Sequence, residues 1–149
     1  MSDEHQDLRS AIATWEGEGG RPTADHILST FKVNLAEKLA LIVEHWRPKV
    51  VGELNGQEVK LVKFQGTFVW HHHETEDELF LGVRGRFTVE FRDRAVEISP
   101  GEFIIVLRGV EHRTVAAQEV EVLVFEPAAT RNTGNVEDST FTAPSGVRI

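Results

Sequence analysis

An all-β sandwich or barrel preceded by one helix is the fold class this sequence predicts, and three observations predict it. From Lys49 onward, apolar and polar residues alternate in short runs that turn residues interrupt about every eight to twelve positions. Asn55-Gly56 stands between two such runs, and a type I′ hairpin turn needs two residues with φ > 0. A helical periodicity occurs once, between Asn34 and Trp46.

The elements follow in order. Residues 1–26 mix Asp, Glu, Ser and Gly with little periodicity and are read as a flexible arm, with His5 and His26 solvated. Asn34 followed by Glu37 resembles a capping box, and Leu35, Leu39, Ile42, Val43 and Trp46 recur at helical spacing until Pro48. That predicts one amphipathic helix, whose His45 packs or meets solvent. VVGEL and QEVKLVKF then flank the Asn55-Gly56 turn, Gly66 breaks or kinks the next strand, and TFVWHHH follows. RFTVEF and AVEI alternate around a tight turn at Arg92–Arg94; Ser99-Pro100-Gly101 turns the chain into EFIIVL. A strand over residues 112–116 and VEVLVFEP complete the set. Residues 27–130 therefore read as a single β-barrel domain, and 131–149, rich in Thr, Asn, Gly and Ser, as a tail that wraps the barrel or pairs with a neighbour.

Composition limits the function. A chain of 149 residues, 40% hydrophobic, is one domain long enough to bury a sizeable core. No segment approaches about 18 consecutive apolar residues, and the N-terminus MSDEHQDLRS is charged, so neither a membrane span nor a secretion signal is expected. A cytoplasmic protein is expected. Cysteine is absent, which removes disulfides, thiolate ligands and cysteine nucleophiles. A net charge of −8 opposes a nucleic-acid backbone, and no helix-turn-helix segment is evident.

Chemistry concentrates in Trp70 to Gly85, WHHHETEDELFLGVRG. If residues 67–73 form a strand, His71 and His73 share one face and His72 takes the other. Their Cα atoms then lie roughly 6.6 Å apart, so both rings can lean onto one ion at N–metal distances of about 2.0–2.1 Å. Glu74-Thr75-Glu76-Asp77 suits a turn, Asp77 being a substitute ligand if the register differs, and Glu78 opens the next apolar strand. Two neutral imidazoles and a carboxylate hold a divalent transition metal while leaving positions free. His112, beyond the FIIVL run and a Gly109 turn, is a fourth candidate. Trp70, Phe68, Phe80, Phe87 and Phe103 are read as core aromatics. Arg84, Arg86 and Arg108 are read either as an anion clamp or as solvated charges.

These motifs resemble those of the cupins, written G(X)5HXH(X)3,4E(X)6G and G(X)5PXG(X)2H(X)3N. The first matches from His71 through His73 and Glu78 to Gly85, with Gly66 one residue nearer than the pattern asks. The second matches at Gly101, Gly109 and His112, with Leu107 in place of Pro and Ala116 in place of Asn. The resemblance implies a double-stranded β-helix, or jelly-roll barrel, with metal ligands His71, His73, Glu78 and His112. It also implies one divalent ion per chain, whether Fe, Mn, Ni, Co or Zn. The segment HWRPKVVGELNGQEVKL and the tail EPAATRNTG are most similar to small single-domain bacterial cupins loosely called mannose-6-phosphate-isomerase-like, a label that implies no tested activity. Absent tyrosine removes the cysteine–tyrosine crosslink and the tyrosine acids of some cupin oxygenases.

The functional expectation is a metalloenzyme of oxygenase or isomerase type acting on a small organic acid or sugar-like molecule, with no catalytic residue assigned. The alternative is a non-catalytic metal-dependent binder or sensor. Partners are expected to be a small-molecule ligand and a second copy of the chain as a homodimer, with neither nucleic acid nor membrane.

Overall fold

The computed structural model describes residues 30–149. In it α1 (Leu35–Ala40) precedes β1 (Lys49–Leu54), β2 (Gln57–Thr67), β3 (Glu78–Arg84), β4 (Phe87–Phe91), β5 (Ala95–Ile98), β6 (Phe103–Val106) and β7 (His112–Pro127). The arm expected over residues 1–26, with His5 and His26, lies outside the described residues. All of these elements fall within the unit Asn34–Ile149.

β7 is the spine. Its residues 120–127 pair antiparallel with β2 on one side and, over 121–125, with β3 on the other, so that Val122 faces both Val62 and Gly82. Its residues 112–116 pair instead with β4 and with Gly66 and Thr67 at the end of β2. β1 extends the first layer beyond β2, β6 extends it beyond β3, and β5 flanks β4. The two strand segments expected over 112–116 and VEVLVFEP are thus one continuous strand shared by two layers. The exposed Ala117-Gln118-Glu119 between its halves allows the change of partner. The result is an antiparallel jelly roll, the all-β class that the alternation predicts and the architecture that the resemblance implies.

Strand alternation sorts the side chains. Val62, Phe64, Phe80, Phe87, Val122 and Val124 fill the interior between the layers. Leu61, on the opposite face of β2, packs outward against Leu39 and Ile42. A helix of six residues is too short to persist alone. It is held by burying Leu39 and Ile42, each worth about 1.5–3 kcal/mol, and by the Asn34 Oδ1 cap that accepts the Glu37 N–H at 3.1 Å. The helix ends at Ala40 rather than continuing to Trp46, as the periodicity suggests. Trp46 instead has φ 63°, donates its N–H to Lys63 O at 2.9 Å, and stacks on Phe64 and Phe68 at ring separations of 4.6 and 4.7 Å. An aromatic contact with the barrel outweighs helical propensity here.

The Asn55-Gly56 hairpin forms as expected, with φ 50° and 75°. Gly66 bulges β2 without ending it. Phe68, Phe80 and Phe87 are buried as read, but Phe103 is not. It is 60% exposed and shares the outer face of β6 with Ile105. Trp70 is half-buried, with the Arg92 guanidinium 3.8 Å above its ring. The end of the tail lies against β1, where Val50 N–H donates to Val147 O at 2.7 Å. Among the described residues no helix is long and apolar enough to cross a membrane.

Candidate metal centre

The acidic turn before Glu78 and the Gly109 turn before His112 bring the four candidate ligands to one place. His71 and His112 form an isolated antiparallel bridge, exchanging backbone hydrogen bonds at 3.0 and 2.9 Å. Gly109, at φ 78°, donates its N–H to His73 O at 2.7 Å, and the Arg108 N–H donates to Asp77 Oδ1 at 2.9 Å. The second motif is thereby tied to the first by backbone. Residues 68–73 are not a regular strand, contrary to the expectation, yet the alternation survives. His71 and His73 are buried, at 3% and 4% exposure, while His72 is only half-buried.

His71, His73, Glu78 and His112 offer one ligand atom each, all within 4.8 Å of one another. His71 Nδ1 and His112 Nδ1 each lie 2.9 Å from the carbonyl oxygen two residues earlier, Val69 O and Val110 O. A carbonyl only accepts, so both Nδ1 atoms carry the proton and both Nε2 atoms present lone pairs inward. The Nε2 atoms of all three histidines and Glu78 Oε2 are buried without a hydrogen-bond partner. His73 Nε2 does approach Glu78 Oε2 to 2.8 Å, but without hydrogen-bond alignment. Four converging, unsatisfied lone pairs would each cost about 1–3 kcal/mol of lost hydration. Three imidazoles and a carboxylate fit a divalent transition ion, which would offset that cost.

The electrostatics agree with that use. Burial, then the neighbouring His112, pushes His71 down to about 4, so its ring is neutral at ordinary pH. Burial would raise Glu78, but His112 and His73 outweigh it and hold the carboxyl well below the usual carboxylate range. Burial likewise disfavours charge on His73, yet the Glu78 carboxylate wins and raises it.

The neighbouring acids and bases do not join the centre. Asp77 is held by Arg108 through a two-point ion pair at 3.2 Å per contact, so it is not a substitute ligand. Arg84 and Arg86 lie near Glu121 and Glu97 on the surface. His45 pairs with Glu119 at 2.7 Å.

The tail contributes more than its composition suggests. Asn135 clasps the His72 peptide from both sides, its Oδ1 accepting the His72 N–H at 2.9 Å and its N–H donating to His72 O at 3.0 Å. Gly134 has φ 55°, and a Cβ there would fall 2.2 Å from His72 O and 3.1 Å from the His71 ring. Only glycine lets the tail reach the histidine segment. Asn-Thr-Gly-Asn at 132–135 is a turn signature in the sequence, but nothing local says what the turn braces.

A small cavity opens beside the cluster, walled by Trp46, Phe64, Phe68 and Phe80, with His71, Glu78 and Glu126 on its lining. Glu126 belongs to a second buried polar cluster that sequence reasoning missed. Glu58 and Glu126 are cross-strand partners on β2 and β7, and Lys60 Nζ lies 2.9 Å from Glu126 Oε1 and 4.0 Å from Glu58 Oε1. All three residues are buried. Their only signal was polar residues at inward positions of two apolar strands.

Comparison with known proteins agrees with the motif reading. Residues 58–126 match the cupin domain model. Among solved structures, a cupin-2 domain containing protein from Shewanella frigidimarina NCIMB 400 is 38% identical, with a TM-score of 0.63 over 64% of this chain and 93% of that one. Protein NMB1881 from Neisseria meningitidis is 30% identical, with a TM-score of 0.61 over 66% of this chain and 100% of that one. The uncharacterized protein YdbB of Bacillus subtilis (strain 168) is 32% identical over 65 residues, 43% of this chain; the match spans 58% of that relative's length.

Proposed function

The chain belongs to the cupin family, and from that premise we propose that it is a metalloenzyme of oxygenase or isomerase type. In this reading His71, His73, Glu78 and His112 hold one divalent transition ion, at which a small organic acid or sugar-like molecule binds. The observation that carries the reading is the convergence of four buried, unpartnered lone pairs on the edge of an open, aromatic-walled cavity.

When bound, the ion supplies Lewis acidity and, if redox-active, the means to engage dioxygen. The chain's own residues do the rest. Val69 O and Val110 O orient two of the imidazoles through their Nδ1–H groups, a constraint that fixes tautomer and ring plane. Trp46, Phe68 and Phe80 exclude water from the apolar part of the ligand and confine it to one side of the cluster. Glu78 is committed as a ligand and does not serve as a base.

The test is elemental analysis of tag-free protein, purified without nickel resin or chelator and expressed as metal atoms per chain. Oxygen uptake and solvent-deuterium exchange are then measured with a panel of hydroxy acids and sugars. About one transition ion per chain with turnover supports the proposal. One ion per chain with neither uptake nor exchange favours a non-catalytic binder, and no ion after reconstitution overturns the ligand assignment.

A further inference from the structure

The second buried cluster points to the ligand's chemistry. Glu126 is 2% exposed and lines the cavity, and one of its carboxyl oxygens is engaged while the other is not. Lys60 Nζ donates to Oε1 at 2.9 Å, and Oε2 is buried with no partner. Asn132, also on the cavity wall, is spent: its amide N–H donates to Phe141 O and its Oδ1 accepts from Ala143 N–H. The register Leu79↔Phe125 and Phe80↔Val124, continued by one residue, sets Glu126 beside Glu78. The free oxygen therefore belongs to the residue next to a candidate metal ligand, on the strand that also carries His112.

A buried polar atom without a partner on the wall of a largely apolar cavity is costly unless a ligand group meets it. We propose that Glu126 is a specificity-determining residue, anchored by Lys60 and meeting through Oε2 the hydroxyl of a small α-hydroxy acid whose carboxylate binds at the four-residue centre. The inference rests on the metal-binding reading above. A divalent ion with the single carboxylate of Glu78 leaves one positive charge, which favours a monoanionic ligand over a neutral or dianionic one. A hydroxyl is the smallest group that both donates and accepts, so it satisfies the Glu126 oxygen whether or not that oxygen carries a proton. Trp46, Phe68 and Phe80 leave the body of the ligand apolar and compact.

The experiment uses the full chain loaded with Co(II), with loading checked by elemental analysis. Glycolate and acetate are the probes, and binding is read from the visible cobalt absorption. Both probes carry a carboxylate; only glycolate carries the α-hydroxyl. Glu126→Leu should weaken glycolate about tenfold, the usual scale for a lost hydrogen bond, and leave acetate within about threefold. Glu126→Gln should keep glycolate within about threefold. Lys60, having only donors, claims the amide oxygen and turns the amide N–H toward the hydroxyl oxygen. If Glu126→Leu fails to fold, the double variant Lys60→Met/Glu126→Leu, which removes the orphaned ammonium too, carries the same comparison. Equal responses of the two probes in loaded protein, large or small, overturn this inference alone. Wild-type protein that takes up no cobalt overturns it together with the reading of the centre.

Discussion

The histidine cluster and the Glu58–Lys60–Glu126 cluster are both buried, and both reach the same cavity, yet they balance charge in opposite ways. At the first, three imidazoles face one ionised carboxylate, and their buried ligand atoms converge without hydrogen-bond partners. Such a set suits a cation from outside the chain. At the second, two carboxylates lie opposite each other on adjacent strands, and the chain supplies its own cation in Lys60. Burial and the Glu78 charge, only partly offset by Lys60, push Glu126 up to about 8, so that it keeps its proton at neutral pH. One cluster has the ligand set for a metal ion, and the other is balanced internally while leaving one oxygen without a partner.

Breaking the first cluster should give the largest effect. His73→Ala is expected to reduce bound metal from about one per chain to near zero, whereas His72→Ala keeps it, because His72 points away from the cluster; elemental analysis of both variants decides. Equal loss would mean that the inward and outward histidines are not distinct. Next comes Lys60→Met, which removes the one cation from between the buried Glu58 and Glu126. Removing one partner of a buried ion pair costs about 3–5 kcal/mol, so urea unfolding should show a loss of that order while metal stoichiometry is retained.

The opposed charge logic gives the third expectation, for chelator-treated protein. His71, lowered to about 4, costs stability as pH falls from its unfolded value of 6.5 toward 4. Glu126, raised from 4.5 to about 8, contributes stability below 4.5 that is lost as pH rises through 8. Between pH 6.5 and 8 the Glu126 contribution falls by about 2 kcal/mol, and His73, also raised, adds to the decline. Unfolding at the two pH values should show that fall, and Glu126→Gln should remove the Glu126 share. An unchanged slope in that variant would show that Glu126 is ionised in the folded chain. The smallest effect is expected from Asn135→Ala. It frees the His72 N–H and should cost about 1 kcal/mol of stability. Metal affinity should fall about tenfold, the scale of lost outer support, read by competition with a chelator.

The first cluster was legible in the sequence because its spacing is a local property. His71 and His73 two apart and Glu78 beyond an acidic turn form a pattern that backbone geometry can interpret, and the resemblance to the cupin motifs adds His112 after Gly109. The second cluster was not. Glu58, Lys60 and Glu126 occupy inward positions on β2 and β7, far apart in sequence, and only the register between those strands brings them together. The tail was similarly opaque: Gly134 and Asn135 look like turn residues, and their contact with His72 depends on where the whole barrel places them. Trp46 shows the converse error. Its helical spacing is real, but stacking on Phe64 and Phe68 takes it out of the helix.

The sequence by itself determined the all-β class, the Asn55-Gly56 hairpin, the family and the four candidate ligands, because periodicity, turn chemistry and motif spacing act over a few residues. Only the tertiary structure decided that β7 is one strand serving two layers, that the tail braces the histidine segment, and that a buried carboxyl with a free oxygen stands beside the centre. These features depend on which distant residues face each other across the barrel, and strand register is set by packing of the whole chain rather than by any one segment.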